Sequence, residues 1–126
     1  MDAETPVEIR DIRVADAGEV LTLQRAAFVQ EALIYATPHL PPLTQTFDEL
    51  AAELRNSLGC VALVGPRLVG AVRGRRDHDL LLIGRLVIAP DVQGLGIGSR
   101  LLAAVEERGR SAGATEAELF TGSLSE

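Results

Sequence analysis

From Leu86 the chain runs four apolar residues, Leu86-Val87-Ile88-Ala89, into Pro90-Asp91-Val92-Gln93-Gly94-Leu95-Gly96-Ile97-Gly98, and then into Ser99-Arg100-Leu101-Leu102 at helical spacing. A strand that converts to a helix through so short a turn commits the chain to an α/β arrangement in which helix and strand pack on each other. Gly94, Gly96 and Gly98 leave the turn nearly without side chains, so its N–H groups can approach an anion closely. The helix that follows adds the positive end of its dipole. The segment is suited to cradling phosphate.

Glycine spacing decides which kind of cradle it is. A Walker loop needs Lys after its last glycine, but Ser99 and Arg100 stand there and the chain contains no lysine. A dinucleotide fingerprint counted from Gly94 requires its third glycine at Ser99, and counted from Gly96 it requires one at Leu101. What remains is Gln93-x-x-Gly96-x-Gly98 after a strand that ends at Pro90, and this resembles motif A of the GNAT superfamily of N-acetyltransferases, Q/R-x-x-G-x-G/A. The resemblance implies acetyl-CoA as cosubstrate and no metal. Leu86, Val87 and Ile88 correspond to the strand whose backbone bonds the pantetheine arm. Gln93, Gly94, Leu95, Gly96, Ile97 and Gly98 correspond to the loop around the pyrophosphate, and Ser99 and Arg100 to the opening turn of the helix.

The rest of the chain reads as a compatible series of elements. Val7 to Ile12 alternates apolar and polar residues as a first strand would, and Val20 to Tyr35 carries a helical apolar pattern. Three prolines between Ala36 and Gln45 force a loop. Thr46-Phe47-Asp48-Glu49 is a capping box that opens a second helix. Cys60–Val64 and Leu68–Arg73 form a hairpin about Gly65-Pro66-Arg67. Leu80 to Ala89 is apolar nearly throughout, as in a central strand covered on both faces, with Gly84 marking a bulge or bend. A third helix runs from about Gly98 to Ser111 and stops at Gly113, and Thr115 to Thr121 is a fifth strand. The expected fold is α/β (α+β): a GNAT-like mixed central sheet flanked by helices, in the order β-α-α-β-β-β-α-β, as one domain over residues 1–126. The resemblance further implies a wedge between the fourth and fifth strands that holds the thioester.

Composition narrows the partners. A net charge of −6 disfavours nucleic acid, which needs a basic face to displace counterions. No apolar run is long enough for a membrane span and the start is acidic, so a cytoplasmic protein is expected. One cysteine, Cys60, and two histidines, His39 and His78, do not make a zinc site of the usual kinds, and Cys60 reads as part of a buried strand. Arg67, Arg73, Arg75, Arg76 and Arg85 concentrate positive charge ahead of the cradle. The run Arg73 to Asp79 is taken as a solvated hairpin tip, while Arg100 is equally placed to face coenzyme phosphates or solvent.

The resemblance implies direct attack by a primary amine on the acetyl carbonyl, polarised by a backbone N–H of the fourth strand. Family members typically continue into a further helix, often with a Tyr that protonates the thiolate, and two more strands. The chain stops at Glu126 and its one tyrosine, Tyr35, lies in the first helix. The expectation is therefore a form lacking the usual last helix and strands, or a homodimer completed through the exposed edge of the fifth strand. Asp79, Glu31 and His39 are candidate bases, each also readable as an ordinary surface residue, so the catalytic residues and the acceptor stay unassigned. The alternative function is a non-catalytic acyl-CoA-binding or dimerising module.

Overall fold

The computed structural model describes residues 6–35 and 46–120, with side chains described over 6–27 and 46–119. The elements are β1 (Glu8–Asp11), a 3-10 turn (Val14–Asp16), α1 (Ala17–Tyr35), α2 (Phe47–Leu54), β2 (Cys60–Val64), β3 (Arg67–Asp77), β4 (Leu80–Ile88), a second 3-10 turn (Pro90–Val92), α3 (Ile97–Ser111) and β5 (Glu116–Phe120). The strands form one mixed sheet in the order β1-β2-β3-β4-β5, antiparallel except for the parallel pair β4 and β5. The parallel pair is a consequence of α3: a strand that returns through a crossover helix must re-enter the sheet in the same direction. The proline-rich loop expected over 36–45 lies outside the described residues.

Local chemistry explains where these elements begin and end. Thr46 N–H donates to Glu49 Oε1 at 2.9 Å and Glu49 N–H to Thr46 Oγ1 at 3.1 Å, so the predicted capping box opens α2. The β2–β3 turn places Gly65 at φ 58 ahead of Pro66, with Val64 and Arg67 paired across it. At the end of α3, Gly113 takes φ 103, its N–H donating to Arg110 O at 3.0 Å and that of Ala114 to Gly109 O at 2.9 Å. This left-handed cap satisfies carbonyls that the helix would otherwise leave open.

The core forms on both sheet faces. Val20, Leu50 and Leu54 come from α1 and α2, and Leu101 and Val105 from α3; all are buried. The α3 face is close-fitted: a Cβ at Gly74 would stand 2.8 Å from Val105 Cγ2, and one at Gly109 would stand 2.5 Å from Leu81 Cδ2. Cys60 is fully buried, and burial pushes its thiol pKa up, which keeps it protonated and inert.

Two expectations need correction. β3 does not end at Arg73 but runs to Asp77, and Arg73 is not at a solvated tip: it is only 9% exposed. Alternation along β3 turns Arg73 to the side of α1 and α2, where its guanidinium donates to Gln24 and Glu53. β4 is also less covered than its apolar sequence suggests. Leu81, Ile83 and Val87 are buried, whereas Leu82, Gly84 and Arg85 are half-buried beside a cavity.

One buried charge ties the chain's start to the fold. Asp16, 5% exposed, accepts from Arg10 Nη2 at 2.8 Å, Arg10 Nη1 at 2.9 Å and Arg13 N–H at 2.8 Å. The Arg10 hydrogen bonds hold its carboxyl below the usual carboxylate range. Such a group contributes stability that is present above its unfolded value, about 3.9, and lost as pH falls through the lower folded value. Asp16→Asn is therefore expected to cost about 2 kcal/mol at pH 7, with the gap from the parent narrowing below about pH 4. Thermal unfolding at both pH values checks this; a gap that widens on acidification would overturn it.

Candidate functional site

The glycine-rich segment forms a turn nearly bare of side chains. Ala89 N–H donates to Val69 O at 2.8 Å at the end of β4, and Val92 N–H closes the 3-10 turn on Ala89 O at 3.1 Å. Val92 is buried beneath the turn, and Asp91 is clamped by Arg67, whose Nη1 and Nη2 each donate at 2.7 Å. From this anchor the backbone passes through Gly94 at φ 85 and Gly96 at φ 79. Residues with a Cβ enter that region only at a cost of roughly 1–2 kcal/mol, which explains glycine at both positions.

Space and charge at the turn suit an anion. Among the described residues a Cβ at Gly94 or Gly96 would meet nothing within 4 Å, so both glycines border space that no described side chain fills. Gly96 caps α3 without a side-chain hydrogen bond, and the first turn contains no acid. The N–H groups of Ile97, Gly98 and Ser99 precede the first intrahelical bond, Arg100 N–H to Gly96 O at 3.2 Å. They stand at the positive end of the helix dipole. A Cβ at Gly98 would lie 3.8 Å from Leu86 Cδ2, an ordinary contact. Arg100 is drawn elsewhere: its Nη2 donates to Val7 O at 3.1 Å, beside β1 at the other edge of the sheet.

Leu86, Val87 and Ile88 lie on the strand that leads to this turn, and a bulge sets their geometry. Ala71 pairs with Val87 but Arg73 pairs with Gly84, so β4 carries one extra residue between these pairs, and Arg85 takes φ 55 there. The expected irregularity at Gly84 thus falls on its neighbour. Among the described residues the β4–β5 pairing reaches no further than Gly84 with Phe120. From Arg85 to Ile88, β4 is held by β3 on one edge and has no described strand on the other.

The bulge also redirects a side chain. Leu81 faces α3, and past the bulge Leu86 and Ile88 do so, lying against the positions where Gly98 and Gly70 would carry a Cβ. Regular alternation from Leu81 would send Arg85 to α3 as well. The extra residue turns it to the opposite face, where it lines a cavity of about 420 Å³ with Glu53, Asn56 and Ser57 from α2 and its continuation, Arg73 and Arg75 from β3, and Leu82 from β4. Arg73 is ion-paired with Glu53, yet burial and the neighbouring Arg85 hold its pKa down to about 10. The Arg85 Nη1 is buried without a hydrogen-bond partner among the described residues.

Of the candidate bases, Asp79 stands at the β3–β4 turn, where its carbonyl accepts from Thr115 at 2.8 Å and Glu116 at 3.1 Å. That is the end of β4 away from the cradle, and Asp79 does not line the cavity. The Glu31 side chain and His39 lie outside the described residues. Sequence reasoning did not single out Glu53, Asn56 or Ser57, and it grouped Arg85 only with the general arginine excess. Gly84 was the one local signal close to the bulge. No helix among the described residues is long and apolar enough to cross a membrane.

Comparison with known proteins agrees with this fold. The sequence model of the acetyltransferase (GNAT) family matches residues 20–124. Among solved structures, the chain is similar to the PaiA N-acetyltransferase from Thermoplasma acidophilum in complex with coenzyme A, at 19% identity and TM-score 0.74 over 90% of this chain and 78% of that one. A GNAT family acetyltransferase from Brucella melitensis in complex with acetyl-CoA is 23% identical, with TM-score 0.69 over 92% and 76% of the two chains. An aminoglycoside acetyltransferase from an uncultured soil metagenomic sample, in complex with sisomicin, is 19% identical, with TM-score 0.71 over 94% and 79%. At these identities the likeness is one of fold. No curated protein matches the chain.

Proposed function

Because the chain belongs to the acetyltransferase (GNAT) family, we propose that it binds acetyl-CoA and transfers the acetyl group to a primary amine. The observation that carries this reading is the turn with Gly94 and Gly96 in left-handed conformation, opening a helix whose first turn holds no acid and no side-chain cap, beside a stretch of β4 edge that no described strand covers. In this reading the N–H groups from Gly94 to Ser99 hold the diphosphate, and the backbone of Leu86, Val87 and Ile88 holds the pantetheine arm in the opening between β4 and β5. The bulge brings the cavity on the α1 and α2 face next to the same stretch of β4, since Arg85 lines one and Leu86 begins the other.

The chain's contribution to the reaction is then positioning and polarisation. A β4 N–H directed at the thioester oxygen stabilises the charge that develops there. The acceptor nitrogen forms the C–N bond as the C–S bond breaks; the amine loses one proton and coenzyme A leaves as its thiol. Calorimetric titration with acetyl-CoA, and separately with NAD and ATP, tests the binding half, and release of free coenzyme A thiol on adding amines tests transfer. Selective binding of acetyl-CoA with amine-dependent thiol release is expected. Equal affinity for NAD or ATP would overturn the reading.

A further inference from the structure

We propose that the acceptor carries a carboxylate beside its amine and that Arg85 binds it. This rests on the acetyl-transfer reading above and names the acceptor class for the same site. Among the described residues, the cavity beside the β4 bulge is lined by three arginines, Arg73, Arg75 and Arg85, and by one carboxylate, that of Glu53. That carboxylate is already paired with Arg73. In a chain of net charge −6, the described lining of this cavity is positive. A polycationic acceptor entering it would meet like charge, whereas a carboxylate would meet complementary charge.

Arg85 is the group built for the task. Its Nη1 is buried and unpartnered among the described residues, a costly state for a charged donor, and the residue lines the cavity. Its backbone takes φ 55, a conformation unfavourable for a residue with a Cβ, and the bulge that imposes it turns the side chain into the cavity. A planar guanidinium in that position offers a fork of donors matched to a carboxylate. Asn56 and Ser57 add neutral polar groups to the same wall. Arg85 directly precedes the backbone assigned to the pantetheine arm, so a carboxylate held there fixes the attached amine close to the thioester.

The test uses the full chain. Calorimetry with acetyl-CoA examines the premise alone. Thiol release is then measured with pairs of amines that differ only in carboxylate versus carboxamide, and with a polyamine and an aminoglycoside. The acid of each pair is expected to be preferred by about 10- to 100-fold in kcat/KM, and Arg85→Gln, which keeps a Cβ and hence the same backbone cost, to erase that preference mainly through KM. Arg85→Lys should restore it in part, since it returns the charge without the fork. Unchanged acetyl-CoA affinity in both variants verifies that they fold. If acetyl-CoA binds but polyamine or aminoglycoside is the better acceptor, or Arg85→Gln keeps the acid preference, the carboxylate assignment is overturned while the acetyltransferase reading stands. Failure to bind acetyl-CoA overturns that reading, and the acceptor assignment with it.

Discussion

Gly96→Trp is expected to abolish acetyl-CoA binding, with an affinity loss of at least about 100-fold, while the protein stays folded. The two effects separate because of where the Cβ would go. Gly96 sits at φ 79, so any L-residue there carries a backbone cost of roughly 1–2 kcal/mol. Its Cβ meets no heavy atom of the described residues within 4 Å, so no part of the described core has to move. The same open space is what the diphosphate would occupy against the α3 amino terminus, and an indole ring there obstructs it. Gly96→Ala keeps the backbone cost but fills far less of that space, and should lose less affinity for a similar fall in stability. Calorimetry and thermal unfolding on both variants decide the matter: a tryptophan variant that binds acetyl-CoA within a few-fold of the parent means the cradle is misassigned.

The elements governed by neighbours in sequence were legible before the fold was known. The strand, turn and helix around Gly94 to Gly98, the Thr46 capping box and the Gly113 stop all depend on contacts within a few residues, which residue spacing expresses directly. Arg73 and Arg85 were not legible for the opposite reason. Arg73 is buried because Glu53, 20 residues away, and Gln24, 49 residues away, converge on it across the sheet. Nothing in the run Arg73-Gly74-Arg75-Arg76 distinguishes the first arginine from the others. Arg85 owes its direction to a single extra residue in β4, and a non-glycine residue at φ 55 leaves no compositional mark. Gly84 hinted at an irregularity but not that its neighbour would be the residue turned into the cavity. The strand, turn and helix could therefore be read from the sequence, while the cavity had to await the packing of α1 on β3 and β4 and of α2 on α1.

Gly59→Ala is expected to be the most damaging of the small substitutions, costing about 3 kcal/mol and lowering Tm by roughly 10 °C. A Cβ at Gly59 would stand 2.4 Å from Val72 O and 3.1 Å from Arg73 Cα, both backbone atoms of β3 in the middle of the sheet. A side chain could rotate away, but these atoms are held by the ladder. Gly59 has little room to move itself, since its N–H donates to Ser57 Oγ at 3.0 Å and its carbonyl accepts from Ile12 N–H at 2.9 Å. Gly98→Ala is the matched control. It adds the same methyl group in the first turn of a helix, with only the 3.8 Å contact to Leu86, and alanine's helix propensity should make it neutral or slightly stabilising. The crowded atoms at Gly59 belong to the segment that presents Arg73 to the cavity, so the stability loss should come with weakened acceptor use, whereas acetyl-CoA affinity below the melting range should hold. Thermal unfolding of the two alanine variants side by side supplies the check, and a Gly59→Ala protein melting within about 2 °C of the Gly98→Ala protein would mean that β3 yields where the packing says it cannot.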